Sequence, residues 1–220
     1  MNQAQVIPLF SIPLYKGKLN IDEKTKSFLL NQKFKRMPTG NGDFSENHFV
    51  LDLPEVKSLK DEVKIHIENY VYRFLMVEKT INFYIQHSWL VKHFPKDWAQ
   101  SHSHSNALIS GVLYLKTKKN SGNITFEKPD GYTNLFHQCM RIPFSGSDNH
   151  NCDFWHEYPE DNDILLFPAH LRHFVKSNES DENRISLAFN LNMEGVLVST
   201  KSNIDYLRID KHKPNEDKNE

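Results

Sequence analysis

QSHSHSNALISGVLYLKTKKNSGNITFEKP, residues 100–129, and DILLFPAHLRHFVKSNESDENRISLAFN, residues 163–190, decide how this chain folds. Each breaks into short apolar runs punctuated by turn residues. ALISGVLYLKT, residues 107–117, predicts one strand, and GNITFEKP, residues 122–129, predicts another beyond the KKNSG turn. DILLFPA, HFVKS and RISLAFNLNME then follow at close intervals as a strand series. No segment of helical periodicity separates these strands. Many short strands without helical crossovers favour a sandwich, jelly roll or barrel over a parallel α/β sheet.

Upstream, INFYIQHSWLVKHF from residue 81 reads as a strand that ends in a turn at Pro95, Lys96 and Asp97. Residues 55–78 place Val56, Leu59, Val63, Ile67, Val71 and Leu75 three and four apart, which predicts one amphipathic helix outside the sheet. The first twenty residues read as an extended arm, because Pro8 and Pro13 oppose a helix, and VIPLF and IPLY suit edge strands. Residues 130–160 are rich in Gly, Asn, Asp, His and Pro and read as a long insertion around one or two short strands, QCMRIPF among them. The expected organisation is an arm and supporting helix over residues 1–80, a β core over 81–205, and a polar tail over 206–220.

The chain has 220 residues, 38% of them hydrophobic and 25% charged, which suits one domain with a real core. Lys plus Arg (27) nearly balance Asp plus Glu (28), so no electrostatic footprint of a nucleic-acid partner is present. Cys139 and Cys152 cannot make a disulfide framework and read as free thiols. No stretch has the pattern of a leader or a membrane span, so a soluble cytoplasmic protein is expected.

Twelve histidines are many for this length. His102 and His104 form an H-x-H pair before the first strand, and residues two apart in an extended segment share a face. His173 lies 71 residues beyond His102, just after DILLFPA. A rolled sheet can make such remote strands neighbours. Three imidazoles suit Fe, Zn, Ni or Cu better than Mg or Ca. Alternation over 171–175 puts Leu171, His173 and Val175 on one face and leaves His170 at the surface or behind the ligands, so His173 is the preferred third ligand. His93, His137, His150 and His156 have weaker claims, and His66 flanks the helix's apolar stripe.

Together the two quoted segments resemble a bacterial and phage subgroup of the 2-oxoglutarate/Fe(II)-dependent oxygenases. That subgroup carries H-x-H, then S-G-V-x-Y-L, and later an F-P pair before the distal His with R-I-S-x-x-F-N after it; Ser88-Trp89 also fits. The resemblance spans roughly residues 82–192. It implies a mainly β, double-stranded β-helix (jelly roll, cupin-like) with a supporting N-terminal helix. It implies Fe(II) and 2-oxoglutarate as cofactors, with His102 and His173 as iron ligands. Arg184 matches the residue that clamps the distal carboxylate of 2-oxoglutarate, and Tyr114 the tyrosine that supports it. His104 stands where the wider superfamily has Asp or Glu; either it ligates, or a nearby carboxylate or water completes the shell. Asn190 is expected to line the cofactor pocket. The implied reaction uses O₂ to hydroxylate a substrate C–H bond, with release of succinate and CO₂.

The same residues have plainer readings. Arg184 could pair with Asp181 or Glu182, Tyr114 could be core, and Ser110 and Gly111 read as tight packing. Aromatic residues of the insertion (Tyr132, Phe136, Phe144, Phe154, Trp155, Tyr158) suit a substrate mouth or a packed loop. A peptide, proline included through a loose similarity to prolyl hydroxylases, or a small metabolite is the expected substrate. A homodimer through the arm or helix stays open. Two other classes remain: a three-histidine cupin-type dioxygenase or isomerase without 2-oxoglutarate, and a non-catalytic β-sandwich binding module.

Overall fold

A computed structural model describes residues 7, 10–38, 41–129, 142–198 and 206–211. The chain opens with β1 (Tyr15–Lys18) and α1 (Glu23–Leu30), whose N-cap Asp22 accepts a 2.8 Å hydrogen bond from the Thr25 backbone N–H. A small hairpin follows, β2 (Phe34–Arg36) and β3 (Asp43–Ser45), then α2 (Lys57–Glu68). Next come β4 (Asn82–His93), β5 (Ala99–His102), β6 (Ile109–Lys116), β7 (Ile124–Glu127) and β8 (Phe154–Glu157). The chain continues through β9 (Asp163–Pro168), β10 (His173–Val175), β11 (Arg184–Val198) and β12 (Tyr206–Ile209).

These strands build two sheets. The larger runs β1-β9-β6-β11-β4-β3-β2, with β12 also on β11, and the smaller runs β5-β10-β7-β8. Every pairing between named strands is antiparallel. The expected double-stranded β-helix with its supporting helix is therefore the fold. Strand alternation sorts the apolar side chains into two layers. Leu113, Leu115, Ile164, Leu166, Leu187, Phe189 and Leu191 face α2 and pack on Leu59, Val63 and Ile67. Val112, Tyr114, Leu165 and Phe167 face the smaller sheet and meet Ile124, Phe126 and Leu171. Burying both faces of the central strands explains why ISGVLYL and DILLF are nearly continuous apolar runs.

Residues 55–78 do not form one regular helix. Pro54–Val56 is a 3₁₀ turn, and after Glu68 the helix widens into a π-helical segment, Asn69–Phe74. Leu75 N–H donates to Tyr70 O at 2.9 Å, five residues back. The wider turn breaks the 3.6-residue phase, so Tyr70 and Val71 are buried while Leu75, expected on the apolar stripe, is exposed. The hairpin β2–β3 and α1 carry no strong periodicity and were not anticipated. Within the expected polar tail, Tyr206–Ile209 adds to the sheet beside β11. Of the arm, β1 pairs with β9, while VIPLF lies mostly outside the described residues, as do Tyr132, Phe136, His137, Cys139 and most of QCMRIPF. Cys152 is a free thiol. Among the described residues no helix is long and apolar enough to cross a membrane.

Candidate metal centre

His102 ends β5 and His173 begins β10, and the antiparallel register sets them opposite each other. The turn after β5 is held to the turn before β10 by a 2.9 Å hydrogen bond from His104 N–H to Ala169 O, which brings the second histidine of the pair alongside. Ring centroids are 4.4 Å apart for His102 and His173, 5.3 Å for His104 and His173, and 5.2 Å for His102 and His104. One nitrogen from each imidazole lies within 4.8 Å of the other two, close enough to hold one metal ion.

Local hydrogen bonds orient two of the three rings. His102 Nδ1 is 2.8 Å from Gln100 O, and His173 Nδ1 is 3.0 Å from Leu171 O. A carbonyl oxygen only accepts, so in the neutral rings Nδ1 carries the proton and Nε2 keeps its lone pair for a metal. Burial, then the neighbouring His102, pushes the His173 pKa down to about 3 and that of His104 down to about 4. Both are thus neutral at physiological pH, the form that ligates. Phe167 and Phe126 pack against the His173 ring at 4.9 and 6.0 Å.

The same face of the larger sheet carries a second cluster. Arg184, Ser186, Ala188 and Asn190 alternate inward along β11. Arg184 is only 2% exposed, with its guanidinium carbon 5.1 Å above the Tyr114 ring. Its Nε and Nη1, and the Tyr114 hydroxyl, are buried without a hydrogen-bond partner. Glu182, one of the two acids in the plainer reading of Arg184, instead binds Lys116 and Lys118, at 3.0 and 2.6 Å. Among the described residues no carboxylate forms a salt bridge with Arg184. Burial pushes the Tyr114 pKa up, and the neighbouring guanidinium opposes the rise. A buried cation with unused donors is costly unless an anion joins it. The donor set therefore fits a carboxylate, and between Arg184 and Asn190 the same face of β11 carries only the small side chains of Ser186 and Ala188.

Asn190 lies at that other end, away from Arg184. It accepts from Ser110 Oγ at 2.9 Å and its Nδ2 is 3.2 Å from His87 Nε2. His87 stacks on Trp89 at 5.1 Å, and Trp89 tilts toward His104 at 6.1 Å, giving a half-buried aromatic shelf beside the histidines. Along β4, His87, Trp89, Val91 and His93 stand opposite Asn190, Ala188, Ser186 and Arg184 in unbroken register and so share the inner face, and a bulge beyond His87 turns Ile85 to the other side. That parity brings in His93, opposite Arg184, which the sequence reading ranked low. A polar residue sharing the parity of Trp89 was the available signal.

His170 and His150 are exposed, and His156 binds Thr125 Oγ1 at 2.8 Å on the smaller sheet. His66 in α2 is 2.8 Å from the Tyr15 hydroxyl. None of these joins the histidine cluster. Gly111 lies under Phe189: a Cβ there would stand 2.2 Å from the ring, so the glycine serves close packing.

A family model described as "Putative 2OG-Fe(II) oxygenase" matches residues 87–190, the segment that carries both clusters. No curated protein matches the sequence. Among solved structures, the α-ketoglutarate-dependent carbocyclase SnoK from nogalamycin biosynthesis superposes with a TM-score of 0.57 at 12% identity, over 84% of this chain and 82% of that one. HygX from Streptomyces hygroscopicus, with nickel, 2-oxoglutarate and hygromycin B bound, gives 0.55 at 11% identity over 82% of each chain. A prolyl-4-hydroxylase from Pseudomonas putida gives 0.51 at 12% identity, over 83% of this chain and 94% of that one. At these identities the likeness is one of fold.

Proposed function

We propose that the protein is a non-haem Fe(II)- and 2-oxoglutarate-dependent dioxygenase that hydroxylates a C–H bond of a peptide or small-molecule substrate. It would belong to the H-x-H subgroup of the 2OG-Fe(II) oxygenase superfamily. The histidine cluster alone sides with a second reading, a three-histidine metal dioxygenase or isomerase that does not use 2-oxoglutarate, because three imidazoles do not require an oxoacid. The observation that favours the oxoacid is the buried guanidinium of Arg184, whose Nε and Nη1 have no hydrogen-bond partner, next to Tyr114. A metal centre without an oxoacid gives that charge no purpose. A purely structural β-sandwich gives none to the converging histidines either.

In this reading His102, His104 and His173 hold the metal, with Nε2 as donor in His102 and His173. Iron with bound oxoacid would activate O₂ and supply the oxidising chemistry, releasing succinate and CO₂. Arg184 would receive the distal carboxylate as a planar fork and so fix the oxoacid's orientation, with Tyr114 donating its hydroxyl proton to the same group. Phe126 and Phe167 exclude water from one side of His173. Substrate would approach past His87 and Trp89, the half-buried side of the cluster.

The test is anaerobic addition of Fe(II), then 2-oxoglutarate, to metal-free protein, followed by visible absorbance. A weak charge-transfer band that needs both components supports the proposal. Iron binding without the band refutes 2-oxoglutarate chelation and favours the second reading.

A further inference from the structure

One more unassigned group stands beside Arg184. His93 ends β4 and stands directly opposite Arg184 in the antiparallel register, so both side chains leave the sheet on the same face. It is 3% exposed, and neither ring nitrogen has a hydrogen-bond partner. Buried imidazoles rarely leave both nitrogens idle. The groups charged toward it are Arg184 on β11, Asp97 in the turn after β4, and Arg36 on β2. Asp97 is already occupied: it binds Arg36 at 3.0 and 3.1 Å and accepts from Phe94 N–H at 2.9 Å. Gly42, in the β2–β3 turn with φ +85°, closes over the ring, and a Cβ there would stand 3.1 Å from His93 Cδ2. His93 is thus held in place by its surroundings while its polar atoms go unused. Arg184 opposite it carries two more orphaned polar atoms, and Tyr114, whose ring lies under that guanidinium, carries a third.

We propose that His93 is the third donor of the acid pocket, giving a ring N–H to the distal carboxylate of the bound oxoacid alongside Arg184 and Tyr114. The inference rests on the oxoacid reading above. A neutral donor beside a fixed cation adds direction without adding charge, so it selects a carboxylate of the right reach. His93 is accordingly a specificity residue for the length of the diacid: it rewards a five-carbon dicarboxylate and contributes nothing to an oxoacid that lacks the far carboxylate.

The experiment measures binding of 2-oxoglutarate and of pyruvate to the anaerobic Fe(II)-loaded protein, by titration calorimetry and by the charge-transfer band. It compares the wild type with His93→Phe and His93→Gln. His93→Phe is expected to weaken 2-oxoglutarate about 10- to 100-fold, the range for one hydrogen bond to a charged group. Pyruvate and Fe(II) affinities are expected to stay within about twofold, so the preference for the diacid collapses. His93→Gln, which keeps a donor, is expected to recover part of the loss. Equal weakening of both acids by His93→Phe, or unchanged 2-oxoglutarate affinity, overturns the assignment of His93 while leaving the oxygenase reading intact. A wild type that binds Fe(II) but not 2-oxoglutarate overturns the oxygenase reading itself, and the His93 assignment with it.

Discussion

Replacing Arg184 by Met should make the ligand-free protein more stable and, at the same time, insensitive to 2-oxoglutarate. Both effects follow from the same atoms. Without an anion, Nε and Nη1 are buried and unpartnered. Buried unsatisfied donors cost about 1–3 kcal/mol, and an apolar side chain of similar volume relieves that cost. For a chain of 220 residues, about 2–4 °C of melting temperature corresponds to each kcal/mol, so the metal-loaded variant should melt roughly 2–12 °C higher. With ligand the order reverses. A buried charged pair that loses one partner costs about 2–5 kcal/mol of affinity, roughly 30- to 5,000-fold. At a 2-oxoglutarate concentration of about 100 times the wild-type Kd, the wild type gains about 2.7 kcal/mol, and a variant bound 100-fold more weakly gains only about 0.4 kcal/mol. Differential scanning calorimetry of anaerobic Fe(II)-loaded protein, with and without 2-oxoglutarate, reads both quantities. A variant that is less stable than wild type without ligand, yet shows the full ligand shift, would refute the claim that Arg184 is held for an anion.

Other substitutions probe the remaining parts. His173→Ala and His102→Ala should each weaken metal binding more than about 100-fold in a chelator competition, whereas His170→Ala should leave it unchanged, since His170 is exposed and outside the cluster. Gly111→Ala should lower the urea midpoint by the equivalent of about 1–3 kcal/mol, because its Cβ meets the Phe189 ring at 2.2 Å; Phe189→Leu in the same chain should recover part of this. Burial first, then Arg184, pushes the His93 pKa down to about 3 from 6.5. The unfolded chain therefore binds a proton below pH 6.5 that the folded protein refuses until about pH 3, so stability falls as pH falls through that window. Between pH 7.5 and pH 5 the His93 share is about 2 kcal/mol, and urea unfolding of metal-free His93→Gln should show a pH dependence shallower by that amount.

The sequence by itself determined the jelly roll and which histidines could meet. Turn-bounded runs such as ISGVLYL and DILLF can bury both faces only inside a layered β fold, and H-x-H in an extended segment must present two rings to one side. The same alternation separated His173 from His170, and the structure places only His173 in the cluster. Other features depend on pairings between strands remote in sequence, which no local pattern encodes. The π-helical widening after Glu68 took Leu75 off the apolar stripe, because tertiary packing of Tyr70 outweighed helical period. Whether Arg184 would find Glu182 or remain unpaired depended on Lys116 and Lys118 from β6 and the following turn claiming that carboxylate first. The nearness of His93 to Arg184 arises only when β4 pairs with β11, which sets two residues 91 apart in sequence directly opposite each other. Local sequence fixes which face a side chain takes; only the folded sheet decides what stands across from it.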